Sequence, residues 1–324
     1  MDCLSFNGIY WEGVGMKTKI PRLFFMCGIP GAGKSTWLES NKEKLHINIH
    51  SSDSIRAELG DINDQTQNDL VFSTLHKRIK EDLLNGKNVA YDSTGIKRKN
   101  RLAFMREIQN VPCEKLCVLF CTPYEICMQN NANRDRKVPE EVITRMLKSF
   151  EVPAYAEGWD HIQIVWWNYE KVGMEFDLNK DMREWCKILH NNPNHTLSLG
   201  DHMIAAASHA LTLSDDMSLH TAAVLHDCGK PFTKDFHNGK GEPTEFAHYY
   251  NHQHVGAYLS LFYLKEMGLP EDEILYISFL VELHMNPFLK WKDSDKAKEK
   301  DRRLFGDSII SDIMVLHECD IKAH

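Results

Sequence analysis

A glycine-rich loop that directly follows an apolar run is the feature that most constrains the fold of this chain. Residues 28–36 read GIPGAGKST and follow LFFMC, which fills every fixed position of the pattern G-x-x-x-x-G-K-[ST]. This pattern predicts a buried strand, a tight turn, and a helix whose N–H groups and positive dipole end face phosphate groups. We therefore expect a nucleoside triphosphate such as ATP to bind at Gly28, Gly31, Gly33, Lys34, Ser35 and Thr36. In that arrangement Lys34 reaches the β- and γ-phosphates, and the Ser35 hydroxyl is a ligand of Mg²⁺.

The pattern of apolar runs changes about halfway along the chain. Between about residues 22 and 168, short apolar runs alternate with longer amphipathic stretches, and the runs read RLFFMC, INIHSS, NVAYDS, KLCVLFC and IQIVWWN. Such alternation is typical of βαβ units with a parallel sheet. From about residue 178 the long stretches have helical periodicity, which predicts an all-α domain. We expect an N-terminal extension over 1–21, an α/β domain over 22–170 and an all-α domain over 178–324.

The composition favours a globular protein of the cytoplasm without a membrane partner. Hydrophobic residues make up 43% of the chain, yet no apolar stretch approaches the ~20 residues that span a bilayer. The N-terminus lacks a basic segment followed by an apolar run, which is the pattern of a secretory signal. The nine cysteines are scattered without a CxxC pair, so we expect reduced thiols.

The formal net charge of −8 argues against a protein that coats nucleic acid with a broad basic surface, because such binding needs many phosphate contacts. A polynucleotide would therefore be held locally. Two short basic segments, 97–101 and 134–137, are candidates for such contacts. Charge runs of this kind are usually solvated faces, so each segment alone is weak evidence.

Three further groups of polar residues indicate phosphoryl transfer rather than another use of the triphosphate loop. Asp53 follows the second apolar run and precedes Arg56 by three residues. A carboxylate there can accept the proton of an attacking hydroxyl, or it is only a helix N-cap. Asp92 ends the third run and either orients Mg²⁺ through water or is a turn residue. Arg134 and Arg136 precede a Pro-initiated helix, where they can close as a lid over the transferred phosphoryl group.

With these motifs, residues 22–165 resemble the kinase domain of phage-type 5′-OH polynucleotide kinases. The resemblance implies that Asp53 is the general base and that Arg134 and Arg136 form the ATP lid. It also implies that Arg56 contacts the 3′-phosphate side of the acceptor or supports the transition state. The broader family includes kinases of small molecules and zeta-type toxins that phosphorylate nucleotide sugars. The motifs therefore define phosphoryl transfer better than they define the acceptor.

Histidine and aspartate residues recur through the helical half of the chain. The candidates, which include the doublet in VLHDCGKP, are His195, His226, Asp227, His252, His284 and Asp320. Imidazole and carboxylate ligands suit Mn²⁺, Fe, Ni²⁺, Co²⁺ or Zn²⁺. A lone histidine in an apolar helix is more often a core residue, but six such residues in this order predict a metal site.

Residues from about 180 to 324 resemble HD-domain phosphohydrolases, and HDCGK is the most specific element of the likeness. The resemblance implies that Asp227 bridges two metals. The first metal is then held by His195, His226, Asp227 and Asp320, and the second by Asp227, His252 and His284. A hydroxide between the metals would attack phosphorus, and the metals would neutralise the intermediate.

Some of these assignments have competitors in the sequence. His202 competes with His195 for the first ligand position, and the H-T-x-x-x frame favours His195. His254 competes with His252, which keeps an N-H-x-x-x-G frame. Lys230 either holds the scissile phosphate or donates a proton, or it is a solvated lysine at the end of a helix.

One predicted domain adds a phosphate and the other removes one, which makes sense when the two act on different positions. RNA broken by nucleases carries a 5′-OH together with a 2′,3′-cyclic phosphate or a 3′-phosphate. The sequence therefore suggests a bifunctional enzyme that heals nucleic-acid ends, RNA ends in particular, for a separate ligase.

Two other functions are compatible with the same motifs. The first is a small-molecule or nucleoside kinase fused to an HD nucleotidase, which the acidic net charge favours. The second is an HD hydrolase regulated by an ATP-binding module. That module would bind ATP without transfer, which the pair Asp53 and Arg56 makes less attractive.

Overall fold

The structure is a computed structural model that describes residues 20–60, 66–193 and 196–323. The chain divides into two compact units. Unit 1 contains the described residues up to Ile143 together with Pro153–Met174, and unit 2 contains Thr144–Val152 and the described residues from Glu175 onward. Thr144–Val152 thus belongs to unit 2, although it precedes the last segment of unit 1 in the sequence. A single boundary near 170–178 does not describe this arrangement. The domain ranges stay a prediction.

Unit 1 is built on a parallel sheet of five strands in the order β2-β3-β1-β4-β5. The strands are β1 Arg22–Cys27, β2 Ile47–Ser51, β3 Asn88–Asp92, β4 Glu114–Cys121 and β5 His161–Trp166. Strands β1 and β4 are almost entirely buried, which explains why their sequences are continuous apolar runs rather than alternating ones. The predicted α/β fold with a parallel sheet is confirmed.

Strand β1 lies between β3 and β4 in the sheet. The chain therefore moves to one side of β1 first and to the other side later, and ligands of α/β sheets bind at the carboxyl ends of strands at such a point. The helices that connect the strands are α1 Lys34–Leu45, α2 Ser52–Leu59, α3 Asn68–Leu84, α4 Arg98–Glu107 and α5 Tyr124–Ala132, followed by α6 Glu140–Leu147, which crosses the division between the units.

The two arginines of the basic segment 97–101 are buried in unit 1, where they hold a carboxylate. Arg101 is fully buried and bonds through Nε and Nη2 to both carboxylate oxygens of Glu157, at 2.6 and 2.7 Å. Arg98 is also buried and contacts the same carboxylate at 3.3 Å. A buried carboxylate needs such partners, so the interpretation of this segment as a local grip on a polynucleotide is wrong for its two arginines.

Unit 2 is predominantly helical, as predicted. Its helices are α7 Leu178–Trp185, α8 Leu199–Leu213, α9 Met217–Leu225, α10 Lys230–Thr233, α11 His252–Glu266, α12 Glu271–Leu283, α13 Asp295–Phe305 and α14 Asp307–Lys322. Helices α11 and α12 pack against each other and are largely buried. In the described part of the chain, no helix is long and apolar enough to cross a membrane.

A two-stranded antiparallel hairpin interrupts the helices of unit 2, and the sequence did not predict it. Its strands are β6 Asp235–His237 and β7 Pro243–His248. Each strand is too short to show a clear alternation of apolar and polar residues. The turn signals between them, NGKG, are the local indication of a hairpin.

Candidate active sites

The glycine-rich loop of unit 1 joins β1 to the first turn of α1. Gly31 and Gly33 have φ angles of 84° and 94°, in the left-handed region that favours glycine. A side chain at Gly31 would also collide with the backbone oxygen of Cys127. Ser35 and Thr36 are exposed in the first turn of α1, where helix N–H groups have no partner within the helix. The loop therefore has the backbone geometry of a phosphate-binding turn.

Lys34 turns back over this loop. Its ammonium donates to the carbonyl oxygens of Gly28 and Ile29 at 2.7 and 2.9 Å. Desolvation lowers the pKa of Lys34, and the nearby carboxylate of Asp92 opposes that shift. The ammonium thus lies at the loop, where it would meet the phosphates of a bound nucleotide.

Asp53 lies in the first turn of α2, and its carboxylate is not the helix cap. The cap is Ser51, whose hydroxyl accepts the Asp53 N–H at 3.2 Å. The Asp53 side chain instead accepts hydrogen bonds from Arg56 at 3.1 Å and from Arg136 at 2.7 Å, and it remains 46% exposed. The geometry disfavours the alternative that this residue only caps a helix, because the carboxylate faces two guanidinium groups and solvent.

Arg56 is buried and is held on two sides. Besides Asp53, it donates through Nη2 to Asn68 Oδ1 at 2.8 Å, and its guanidinium lies 5.8 Å from the centroid of the Phe72 ring. Asn68 begins α3. Sequence reasoning missed this contact, since nothing in the sequence connects the first residue of α3 with a side chain on α2.

Asp92 ends β3 next to these groups. Burial raises the pKa of Asp92, whereas Lys34, a hydrogen bond with Ser51, and Arg134 lower it. The structure therefore gathers the loop lysine, both predicted acids and both lid arginines around the carboxyl ends of β1, β2 and β3. Their individual roles stay predictions.

In unit 2, buried histidine and aspartate side chains from several helices converge. His202 lies on α8, and its Nε2 atom is 3.1 Å from His226 Nε2, 3.4 Å from Asp227 Oδ2 and 3.1 Å from Asp320 Oδ1. His226 Nε2 is 3.4 Å from the same Asp227 oxygen. His226 and Asp227 follow α9, and Asp320 lies on α14.

The other oxygen of Asp227 faces a second pair of histidines. Asp227 Oδ1 is 3.2 Å from His252 Nε2 and 3.9 Å from His284 Nε2, and these two nitrogen atoms are 3.2 Å apart. Asp227 thus lies between two groups of potential ligand atoms, one on each carboxylate oxygen. A carboxylate in this position can bridge two metal ions.

Each of the four histidines of the cluster uses Nδ1 to donate to a backbone carbonyl. His202 donates to the Ala323 carbonyl at 3.3 Å and His226 to the Ala223 carbonyl at 2.8 Å. His252 donates to the Tyr249 carbonyl at 2.8 Å and His284 to the Val281 carbonyl at 2.7 Å. Because a carbonyl only accepts, Nδ1 carries the hydrogen in every ring, so Nε2 is the atom of each ring that can bind a metal ion. Metal-binding histidines are oriented in this way, so the residues fit one or two divalent metal ions.

Charges within the cluster support the same conclusion. Burial would raise the pKa of Asp227, yet Lys230 and His226 hold it well below its usual range. The pKa of Asp320 is likewise lowered, by His202 and His226 against burial. Both carboxylates therefore stay ionised, which gives the cluster the negative charge that a cation requires. Lys230 lies 2.5 Å from Asp227 Oδ2 and is itself buried, so it is not a solvated lysine.

Two glycines allow the His226-Asp227 turn to approach α11. A Cβ atom at Gly229 would collide with the backbone oxygen of His252 and contact the nitrogen of Gly256. This close approach explains the glycine in HDCGK and the one four residues after His252. It brings Asp227 and His252 into contact although they are far apart in the sequence.

His202, the competitor of His195, is the described histidine at the first ligand position, and the choice of His195 is not tested. His195 lies outside the described residues, and His202 is the histidine that contacts His226, Asp227 and Asp320. Among the remaining competitors, His252 rather than His254 faces Asp227.

The comparisons with known proteins cover both units. Residues 23–153 match the family model of the AAA domain, and residues 199–320 match that of the HD domain. The chain is 25% identical over 221 residues to an L-seryl-tRNA(Sec) kinase of Methanococcus maripaludis, which covers 66% of this chain and 84% of that protein.

Solved structures show weaker likenesses. The Pnkp1/Rnl/Hen1 RNA repair complex has a chain that is 16% identical with a TM-score of 0.35, over 39% of this chain and 43% of that one. A gluconokinase from Sinorhizobium meliloti 1021 is also 16% identical, with a TM-score of 0.34, over 46% of this chain and 85% of its own. This chain thus spans less than half the length of the repair-complex chain, and TM-scores below 0.5 carry no information on substrate.

Proposed function

We propose that this chain, in which a P-loop kinase domain is joined to an HD domain, heals broken nucleic-acid ends and acts on RNA. Unit 1 would phosphorylate the 5′-OH with ATP, and unit 2 would remove a 2′,3′-cyclic phosphate or a 3′- or 2′-phosphate. One observation carries the proposal. A carboxylate held by two arginines lies beside a phosphate-binding loop, and the same chain holds a separate histidine and aspartate cluster that fits metal ions.

In the kinase site, Asp53 is placed to take the proton from an attacking hydroxyl. The new O–P bond forms at the γ-phosphorus as the bond to the departing ADP breaks, and the hydroxyl proton goes to the carboxylate. The hydrogen bonds from Arg56 and Arg136 orient that carboxylate. Lys34, Arg134 and Arg136 then face the charge of the transferred phosphoryl group.

Mg²⁺ would accompany ATP, with the Ser35 hydroxyl as a direct ligand and with Asp92 as the acceptor for a metal-bound water. The partial desolvation of Asp92 makes it a strong acceptor for metal-bound water. The proposal is supported by the position of Ser35 in the first turn of α1 and of Asp92 at the end of β3.

In the HD site, one metal would be held by His202, His226, Asp227 and Asp320, and a second by Asp227, His252 and His284. Such ions, of Mn, Ni, Co, Fe or Zn, activate water and neutralise charge on phosphorus. The protein orients the ligand rings through the Nδ1 hydrogen bonds and excludes bulk water by burying them. Lys230, beside Asp227, is placed to hold a phosphate oxygen or to protonate the leaving oxygen.

The products of both reactions together are a 5′-phosphate and a 3′-OH. These are the ends that a ligase joins, so we infer that a separate ligase acts next.

A second candidate function differs in the molecule to which the kinase transfers the phosphoryl group. The curated relative is named as a kinase of L-seryl-tRNA(Sec), and the net charge of −8 disfavours extensive contact with a polynucleotide backbone. On this alternative, unit 1 phosphorylates another hydroxyl, on a small molecule, a nucleoside or an aminoacylated RNA, and unit 2 is a nucleotidase.

The acceptor is tested by competition among substrates. Purified protein with ATP and Mg²⁺ is offered a 5′-OH RNA oligomer, the same sequence as DNA, a mononucleoside and L-seryl-tRNA. We expect transfer to the oligomer at the highest kcat/KM, and none by Lys34→Ala. Transfer to the mononucleoside or to seryl-tRNA in preference to the oligomer would refute the proposal.

A further inference from the structure

The β6–β7 hairpin exposes an unusual group of aromatic side chains. Within residues 20–60, 66–193 and 196–323, four aromatic residues are exposed, and three of them lie on or beside this hairpin. These three are Phe236, Phe246 and Tyr250, at 43%, 46% and 47% exposure, while the fourth is Tyr155 in unit 1. Leaving large aromatic surface in water is unfavourable, so such clustering indicates a binding surface.

Tyr249, which follows the second strand of the hairpin, contacts the metal-ligand cluster. The Tyr249 carbonyl accepts the Nδ1–H of His252 at 2.8 Å, and the Tyr249 ring lies 5.4 Å from the Lys230 ammonium. Lys230 in turn contacts Asp227. The segment between Lys230 and His252 therefore leaves the cluster as α10 and returns to it at Tyr249.

The hairpin is also anchored laterally. Lys234 donates to the Leu189 carbonyl at 2.8 Å and to Asn191 Oδ1 at 2.6 Å. Ala247 donates its N–H to the Asn191 carbonyl at 2.9 Å. Because the residue before β6 and a residue of β7 are both bonded to the segment 189–191, the exposed rings are carried on a supported element.

Two of the exposed rings have a polar neighbour on one face. His248 stacks on Tyr250 with an interplanar angle of 7° and a centroid distance of 5.2 Å. The Lys234 ammonium lies 6.0 Å from the centroid of Phe236. Stacked and exposed rings of this kind bind nucleobases regardless of sequence, since every base has an aromatic face.

We propose that this hairpin, with Phe236, Phe246 and Tyr250, is a stacking platform for the bases that adjoin the terminal phosphate of a single-stranded nucleic acid. The inference rests on the proposed function of the HD site and adds how that site selects a polynucleotide end over a mononucleotide. Residues 234–250 contain two lysines and three carboxylates. The platform therefore recognises bases through ring contacts, and its contribution to binding depends little on salt, unlike contacts to phosphates.

The test compares two substrates of the same site in the metal-loaded, full-length protein. An RNA oligomer that ends in a 2′,3′-cyclic phosphate engages the platform, whereas a nucleoside 2′,3′-cyclic phosphate has no adjoining bases. Removing one ring, as in Phe236→Ala, Phe246→Ala or Tyr250→Ala, is expected to lower the ratio of kcat/KM for oligomer over mononucleotide by about tenfold. The conservative variant Tyr250→Phe should keep the ratio, as should Tyr155→Ala, which removes the exposed aromatic of unit 1.

The possible results distinguish a failure of the stacking platform from a failure of the proposed function of the HD site. If wild-type protein hydrolyses the mononucleotide but not the oligomer, the proposed function and the platform both fail. If it hydrolyses the oligomer and the alanine variants keep the wild-type ratio, the platform alone is refuted. A change of oligomeric state in those variants, without a change in the ratio, assigns the rings to contacts between copies of this chain and also refutes the platform.

Discussion

Replacing Asp53 by asparagine removes the predicted proton acceptor with little change in shape. The carboxylate is 46% exposed and accepts hydrogen bonds from Arg56 at 3.1 Å and Arg136 at 2.7 Å. Exposed ion pairs contribute about 0–1 kcal/mol to stability, so Asp53→Asn should fold normally. General-base catalysis contributes roughly 10²- to 10⁴-fold, which corresponds to about 3–5 kcal/mol in the activation free energy. We expect kcat of the kinase to fall by that factor.

The assay measures transfer of the γ-phosphate of ATP to a 5′-OH oligomer under saturating ATP. The phosphoesterase activity of the same preparation is the internal control, and it should be retained. Asp69→Asn, which changes an exposed carboxylate in the first turn of α3, is the matched control variant. A loss in kcat of less than about threefold for Asp53→Asn would refute its role as the base, because a loss that small lies well below the contribution of a general base.

Three further predictions follow from other contacts. Glu157→Gln leaves Arg101 buried without its charged partner, so the free energy of unfolding should fall by about 3–5 kcal/mol. Burial raises the pKa of Glu157, but Arg101 lowers it further. The melting temperature of Glu157→Gln should therefore lie furthest below that of wild type at pH 7, and the difference should shrink only below about pH 4, as the wild-type carboxylate is protonated. An equal difference at all pH values would contradict this. Chelation should abolish phosphoesterase activity and lower the melting temperature of the metal-loaded protein. His202→Ala should prevent recovery of that activity when metal is restored, and retained metal binding in this variant would contradict the cluster. Asn68→Ala should raise KM for the acceptor or lower kcat by about tenfold without changing KM for ATP, and Asn68→Asp should restore part of the loss by accepting from Arg56.

The elements of unit 1 were predictable because their signals are local. Each strand is a short apolar run between polar stretches, and the phosphate loop is a contiguous motif whose glycines have the left-handed φ angles that the turn requires. Burial of β1 and β4 on both faces follows from the parallel arrangement. The helices of unit 2 were likewise recognisable from periodicity.

Contacts between distant parts of the chain were not predictable in the same way. The frame around His195 favoured that residue, whereas α8 carries His202 to within 3.1 Å of His226, which depends on how two helices pack. Arg101 belonged to an apparent charge run, and only the tertiary fold places it on Glu157. The β6–β7 hairpin has strands of three and six residues, too short for a reliable pattern.

The central claim is that one chain heals both ends of a broken RNA at two separate sites. The most direct measurement follows a single RNA oligomer with a 5′-OH and a 2′,3′-cyclic phosphate, incubated with ATP, Mg²⁺ and Mn²⁺ or Ni²⁺ and analysed by mass spectrometry. We predict that wild-type protein changes both ends, that Lys34→Ala changes only the 3′ end, and that Asp227→Ala changes only the 5′ end. An oligomer that stays unchanged at both ends under these conditions would contradict the account.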